Sequence, residues 1–486
     1  VARFCIISSK KSCNKFIGRV VNADEYPYPE IALMKFAPLV CATLVLSIAS
    51  ESLFSPVRAQ APLFPPPLTP LPRATPLPIP PRTTPLPTTP RPTTPAPAPA
   101  TGGICPAQLG GTLDRIVNQL PASWSVLVQT QAPRGTRQNL YARNPFTQLV
   151  PASNNKLFTT AAALTKLGAQ YQLRTPVFGN TNRPELATLR VIGQGDPSFS
   201  SAQLNSLTQQ LRQRGVRKVD LLIGDDTVFR GADFNPYWDQ EDRGQGYAPP
   251  INSLMLNQNN VYAGAVPNPG NYFVGEFRSR LANAGIQVKS STLVKRTPAP
   301  LGEVELASIV SPPLSRLIDA TNQESDNAYA EAILKTLGRL QDPNGVDSTA
   351  SGVAAVRAIL SQLGVNPNRY RMVDGSGLAD RNRASAEAFV QTLQAMAESP
   401  NADVFRRSLA VGGVNGTLSN RFRSIPGRVL AKTGTISGVV SLSGYVTPSG
   451  YAPVVFSIIV NSGNSASTVR ASVDSLVMAL TRLRNC

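Results

Sequence analysis

A run of prolines divides this chain before any other feature can be weighed. Seventeen prolines fall between Pro62 and Ala100, many of them separated by one or two Thr, Leu or Ala residues. Each fixes φ and removes a backbone donor, so the stretch suits neither a helix interior nor a central strand. Residues 62–104 are therefore expected to form an extended, partly polyproline II spacer, with docking to an aromatic groove or a glycosylated stalk as the other readings. Whatever core the 486 residues build must come after it, from Cys105 onward.

Ahead of the spacer, residues 1–61 read as a leader. The apolar stretch Phe36–Ser50 follows Lys35, is shorter than a membrane span, and is followed by Ala59-Gln60-Ala61, the small-residue pattern of a signal-peptidase site. Cleavage after Ala61 predicts a mature end at Pro62; an uncleaved anchor is the alternative. Cys41 follows Val40, a poor setting for lipid attachment, and Met34 is a candidate true start. The chain is thus expected to be exported, facing the periplasm or cell wall, with membrane association left open.

Export bears on the cysteines. Removing the leader leaves Cys105 and Cys486, at the two ends of the globular part, which suit a disulfide in an oxidising compartment or two free thiols. The formal charge is +18, and after residue 104 there remain 37 basic against 25 acidic residues, a net of +12. These charges are scattered, without long Lys/Arg runs or interleaved aromatics, which argues against nucleic acid and for an anionic polymer or surface.

The chain contains no histidine. That excludes Ser-His-Asp triads, Cys-His pairs and HExxH metal sites, so an enzyme here must take its base from Lys, Asp, Glu, Tyr or Cys.

Hydrophobic periodicity predicts an amphipathic helix at Leu109–Leu120, strands at Trp124–Thr130 and around Tyr141, and an Ala-rich helix at Thr159–Leu167 ended by Gly168. From Tyr171 to about Val304 short apolar runs such as Leu189–Ile192, Val219–Ile223 and Gly270–Gly275 predict a strand-rich insertion, with helices at Leu204–Arg212 and Phe277–Ala284. Helical pattern returns at Leu314–Leu337, Val353–Leu363 and Ser385–Met396. Three strands, Arg428–Lys432, Val439–Tyr445 and Val454–Val460, precede a closing helix at Ser467–Leu483. The fold class is α/β, or α+β: one antiparallel sheet, shared by the first strand and the last three, flanked by helices.

Three short elements carry the chemistry: Ser153-Asn-Asn-Lys156, Ser325-Asp-Asn327 and Lys432-Thr-Gly434. One S-x-x-K is weak, but all three in this order, the first opening a helix and the last on a strand, form a specific pattern. A serine hydroxyl needs a base, and a buried Lys156 beside a second cation, Lys432, would supply neutral amine. Ser325 suits a proton relay and Asn327 a hydrogen-bonding partner of substrate amide or Lys156. Lys432, Thr433 and Thr435 suit a terminal carboxylate, and Gly434 lets a substrate lie along the strand edge. The Ser153 and Thr435 N–H groups are candidates for an oxyanion hole. Taken singly, each has a plain structural reading: a helix cap for Ser153, a solvated edge lysine for Lys432, strand propensity for the threonines. Asp225, Asp226, Asp239, Glu241 and Asp242 read as solvated loops, or as the lining of a metal or cationic-peptide site.

Together these elements resemble the class C penicillin-binding, S13-type D-alanyl-D-alanine carboxypeptidase/endopeptidase family. Pro151–Leu157, Gly193–Pro197, Ala248–Pro250 leading to Asn259, Asp374–Leu378 and Gly413–Leu418 extend the likeness over residues 105–486, although Asn415 stands where that pattern leads one to expect Asp. The resemblance implies a β-lactamase/DD-peptidase-like fold: a transpeptidase-like domain in two parts, 105–172 and 306–486, around a two-subdomain insertion at 173–305. It implies acylation of Ser153 by D-Ala-D-Ala stem peptides, by crosslinks or by β-lactams. Lys156, Ser325, Asn327 and Lys432 would take the roles above, with no metal or organic cofactor; the sequence predicts no specific protein partner. A β-lactamase, an esterase or a slow-deacylating β-lactam sensor would share this Ser-Lys machinery, and an inactive wall-binding protein could retain it.

Overall fold

Leu109, Leu113 and Val117 recur at helical spacing and form one buried face, while Cys105 and Pro106 supply the start; the result is α1 (Pro106–Val117). The computed structural model describes residues 102–261, 264–294 and 302–486. The leader, its cleavage site and nearly all of the proline-rich spacer lie outside the described residues. After α1 come β1 (Ser123–Thr130), β2 (Asn139–Arg143), a 3-10 turn at Ala152–Asn155 and α2 (Lys156–Leu167). The insertion runs through β3 (Arg174–Gly179), β4 (Glu185–Ile192), α3 (Ser201–Gln213), β5 (Lys218–Asp225), β6 (Asn260–Val261), β7 (Gly264–Ala265), α4 (Pro269–Asn283), β8 (Gln287–Val294) and β9 (Val304–Val310). The chain returns through α5 (Leu314–Asn322), α6 (Asn327–Gln341), α7 (Ser348–Gln362), the short pair β10 (Tyr370–Arg371) and β11 (Arg383–Ala384), α8 (Ala386–Ala397) and α9 (Ala402–Arg407). It ends with β12 (Ala410–Val411), β13 (Val429–Ile436), β14 (Val439–Val446), β15 (Val454–Asn461) and α10 (Ala466–Thr481).

The main sheet has the order β12-β13-β14-β15-β1-β2 and is antiparallel throughout. Its central strands alternate between two cores, as a period of two requires when both faces are covered. Val455 and Ile459 of β15 pack with α2, α6 and α8, whereas Phe456, Ile458 and Val460 pack with α1 and α10. Full burial of each such side chain contributes about 1.5–3 kcal/mol. The first strand and the last three share this sheet, as the sequence predicts. Cys105 and Cys486 are joined by a disulfide with Cα atoms 5.7 Å apart, beside backbone bonds from Ile104 to Arg482 and from Arg484 to Ile104.

A second sheet, β8-β5-β4-β3-β9, forms the strand-rich insertion; β4, β5 and β8 are parallel, with α3 and α4 as their crossovers. Between β5 and β6, residues 226–256 hold neither helix nor strand. They pack instead against the body, Phe229, Ile251 and Met255 on Ala328 and Ala332 of α6, and Trp238 on Val373 and Ala379.

Two predicted elements differ from the observed ones. Gly270–Gly275 does not form an extended run but lies within α4, which Asn268 caps by accepting from the Asn271 N–H and Pro269 opens. Apolar spacing alone cannot separate a short strand from a helix start. The helix predicted over Leu314–Leu337 is two helices, α5 and α6, separated at residues 323–326. Ser325 takes φ +64° there, and Asp326 starts α6 afresh by accepting from the Tyr329 N–H at 3.1 Å. That break is where the second chemical element sits.

Candidate active site

The turn carrying Ser153 is held by its two neighbours rather than by a helix cap. Asn154 and Asn155 are buried; Asn154 donates to Ser443 Oγ at 2.6 Å, and Asn155 donates to the Asp374 carbonyl at 2.8 Å. The sheet accommodates the turn because β14 offers small residues: Ser441 Oγ donates to the Pro151 carbonyl at 2.7 Å. On β13, a Cβ at Gly434 would lie 2.3 Å from Ser441 Oγ and 2.8 Å from the Pro151 carbonyl oxygen. Glycine is thus required at 434 by the nucleophile's own turn, a reason additional to substrate approach. Because β12 pairs only with Leu430 and Ala431, the Lys432–Ile436 edge of β13 has no strand beside it among the described residues.

The first turn of α2 places Lys156 over Ser153. Its Nζ donates to Ser153 Oγ at 3.0 Å, to Asn327 Oδ1 at 2.6 Å and to the Ser376 carbonyl at 2.8 Å. Burial lowers its pKa to about 8, against the opposing pull of Asp374, Glu331 and Asp326. Of the expected causes, burial beside a second cation, burial is the one that lowers Lys156; Lys432 is not among the charges acting on it. Lys432 is itself pushed well below the ordinary lysine value, first by burial and then by the proximity of Lys156. Lys432 Nζ donates to Ser325 Oγ at 2.7 Å and to the Thr433 carbonyl at 2.8 Å. Thr433 Oγ1 donates to Thr417 Oγ1 at 2.8 Å, and Asn327 Nδ2 to the Tyr247 carbonyl at 2.8 Å.

Ser153, Ser325, Asn327 and Thr435 open on one cleft of about 700 Å³. Asp239, Glu241, Asp242, Tyr247 and Asp380 also line it, so part of the acidic set borders the cleft instead of a separate site. Among the described residues no group of three His, Cys, Asp or Glu is placed to hold a metal. Asp225 instead pairs with buried Arg190 at 3.1 Å. Asn415 Oδ1 accepts from the Val411 N–H at 2.8 Å, a bond that a carboxylate in its place would also accept.

Sequence reasoning missed the layer beneath Lys156. Glu331, one turn after Asn327 on α6, accepts from the Gly375 and Ser376 N–H groups at 2.9 and 2.7 Å, and thereby fixes the carbonyl that receives Lys156. Burial first, then Asp374, pushes the Glu331 pKa up to about 7. Asp374 accepts from the Gly377 and Ala379 N–H groups, Asn382 and Trp238. The Asp374–Leu378 segment was visible as a motif; the i+4 spacing of Glu331 from Asn327 was the available signal for the rest.

An antiparallel sheet flanked by helices, with a strand-rich insertion and a buried lysine against a serine, is the arrangement of an active-serine hydrolase that works without histidine. The chain belongs to the D-Ala-D-Ala carboxypeptidase 3 (S13) family, which matches residues 109–274 and 262–483. It is similar to the D-alanyl-D-alanine carboxypeptidase of Actinomadura sp. strain R39, 29% identical over 429 residues, 71% of this chain and 79% of that one. Carboxypeptidase DacB of Mycolicibacterium smegmatis is 29% identical over 375 residues, covering 72% and 78%. In fold it is similar to penicillin binding protein 4 (dacB) of Haemophilus influenzae, with a TM-score of 0.69 at 23% identity over 76% of this chain and 98% of that one. Membership makes the protein an enzyme of the serine-type D-Ala-D-Ala carboxypeptidase/endopeptidase class.

Proposed function

We propose that the chain cleaves D-Ala-D-Ala ends and D-Ala crosslinks of wall peptides through an acyl-enzyme on Ser153. The observation that carries this reading is the Lys156 amine, fully buried and 3.0 Å from Ser153 Oγ. A neutral Lys156 takes the Ser153 proton as Oγ attacks the carbonyl carbon of the penultimate D-Ala. The Ser153 and Thr435 N–H groups receive the developing oxyanion. Collapse breaks the peptide bond, and the leaving amine takes up the proton that Lys156 removed from Ser153, passed by way of the Ser325 hydroxyl, so that Lys156 is neutral again. Water then gives a proton to the neutral Lys156 as it attacks the ester carbonyl, and Lys156 returns that proton to the departing Ser153 Oγ, releasing the shortened peptide and regenerating the hydroxyl. The substrate carboxylate binds at Lys432, Thr433 and Thr435, where its charge restores the proton that burial disfavours on Lys432.

The open Lys432–Ile436 edge suits an extended peptide, and the acidic rim of Asp239, Glu241 and Asp242 suits a stem bearing a free ammonium. The Cys105–Cys486 disulfide fits an oxidising, exported location. Among the described residues no helix is long and apolar enough to cross a membrane. Incubation with a pentapeptide muropeptide and a crosslinked dimer, followed by mass spectrometry, tests both activities. Free D-Ala and separated stems are expected; D-Ala without separated stems would remove the endopeptidase half of the reading.

A further inference from the structure

Helix α6 carries a third buried lysine, one that the reaction above does not use. Asn327, Glu331 and Lys335 recur every four residues and so form one stripe along the helix. Asn327 holds Lys156 and Glu331 holds the segment beneath it, whereas Lys335 reaches into the insertion. Only 3% of Lys335 is exposed, and its Nζ donates to the Ala232 carbonyl at 2.8 Å and to the Ile251 carbonyl at 2.9 Å. These two acceptors flank the neck of an irregular loop, residues 233–251, which the Ile251 N–H also closes by donating to the Asp233 carbonyl at 2.8 Å. From that neck the loop carries Asp239, Glu241, Asp242 and Tyr247 to the rim of the cleft.

The loop has no helix or strand of its own, and besides bonds to the β6–β7 segment, from the Ala265 N–H to the Gly244 carbonyl and from Asn260 to the Gly246 carbonyl, side-chain anchors hold it to the body. Trp238 is buried and donates to Asp374 Oδ2 at 3.1 Å, Asn235 donates to the Val373 carbonyl at 2.8 Å, and Tyr247 receives Asn327. Those anchors hold the tip and one flank. Lys335 alone among these side chains joins both feet of the loop to α6. Burial lowers the Lys335 pKa, opposed by Asp233, Glu331 and Asp347; the ammonium form is the one that donates to two carbonyls and still presents a proton toward the Phe229 ring, 6.0 Å away.

We propose that Lys335 is a positioning residue for substrate selection: it staples the neck of the 233–251 loop and so sets where the acidic rim meets an ammonium-bearing stem peptide. The inference rests on the peptide substrate class proposed above. Loss of the staple leaves Ser153, Lys156 and Lys432 in place. Small acylating agents that do not reach the rim are therefore processed as before, while the preference for a free amine on the peptide falls.

The test uses the full mature chain with Lys335→Met and Lys335→Arg. Three readouts are taken: the second-order rate of acylation by benzylpenicillin, and kcat and KM for a D-Ala-D-Ala stem peptide with its side-chain amine free or acetylated. Hydrogen exchange of residues 233–251 is the third. In Lys335→Met, penicillin acylation is expected to stay within about threefold of wild type, because Ser153, Lys156 and Lys432 are held by α2, α6 and β13 and not by the loop, while KM for the free-amine peptide rises about tenfold and the free-to-acetylated preference falls with it, as for loss of a charge-assisted bond. Exchange in 233–251 should speed by at least about tenfold with α2 and β13 unchanged, and Lys335→Arg should restore part of the preference. Equal losses toward penicillin and peptide, or an unchanged amine preference in a folded Lys335→Met protein, would overturn the proposal. If Lys335→Met does not fold, Lys335→Gln, which keeps one donor, is taken through the same readouts with the same criteria. Failure of the wild-type protein to cleave any D-Ala-D-Ala peptide would instead refute the substrate reading, and unchanged exchange in the variant would refute the staple by itself.

Discussion

Burial of Lys156 makes acylation depend on pH in a direction that follows from its charge. The amine is the working form, its pKa is lowered to about 8, and the ordinary solvated lysine would hold almost no free amine near neutrality. With a pKa of about 8, the free amine makes up about 1% of the enzyme at pH 6, about a tenth at pH 7 and about nine-tenths at pH 9. The second-order rate of penicillin acylation should therefore rise nearly tenfold per pH unit below 8 and level off above it. Glu331 sharpens the test. Above its own pKa of about 7 Glu331 is a carboxylate that raises the Lys156 pKa, so Glu331→Gln, which retains an oxygen for the Gly375 and Ser376 N–H groups, should move the part of the rising limb above pH 7 to lower pH and leave the part below it, where wild-type Glu331 is already protonated, nearly unchanged. Stopped-flow or gel-based labelling with a fluorescent penicillin, at concentrations far below saturation, reads both profiles. A wild-type rate that is flat from pH 5.5 to 9, or a Glu331→Gln limb moved upward, would refute the reasoning.

Other perturbations act on the supports of the same pair. Gly434→Ala drives a Cβ to within 2.3 Å of Ser441 Oγ; labelling should drop by at least about a hundredfold and thermal melting should show a loss of about 1–3 kcal/mol, as for overpacking. Asn327→Ala removes the 2.6 Å acceptor of Lys156 and the donor to Tyr247; acylation should slow by about ten- to a hundredfold with little change in melting. Cys105→Ser opens a link between residues 381 apart in sequence and should cost about 2–4 kcal/mol in denaturant unfolding while labelling of the folded protein persists.

The fold was legible where one physical signal dominates. Alternation in Val439–Val446 and Val454–Asn461, and the helical spacing of Leu109, Leu113 and Val117, need no tertiary information to read. Legibility failed where long-range contacts decide. Gly270–Gly275 is the exception, because the signal passed over there is local: Asn268 and Pro269 are a cap and a helix start directly before it. Ser325 breaks an otherwise continuous helical pattern because its hydroxyl must meet Lys432, 107 positions away in sequence. The three chemical elements were readable because each is short and contiguous. Asp374–Leu378, with Ser376 in it, was visible as a motif without a role, and Glu331 and Lys335 were missed, since their roles depend on backbone carbonyls and N–H groups supplied by distant segments.

Intact-mass analysis after exposure to benzylpenicillin tests the central claim most directly, with Ser153→Ala and wild-type chains treated in parallel. The account predicts one penicilloyl adduct on the wild-type chain, mapped by peptide digestion to Ser153, and none on the variant. An adduct of equal yield on folded Ser153→Ala would contradict it.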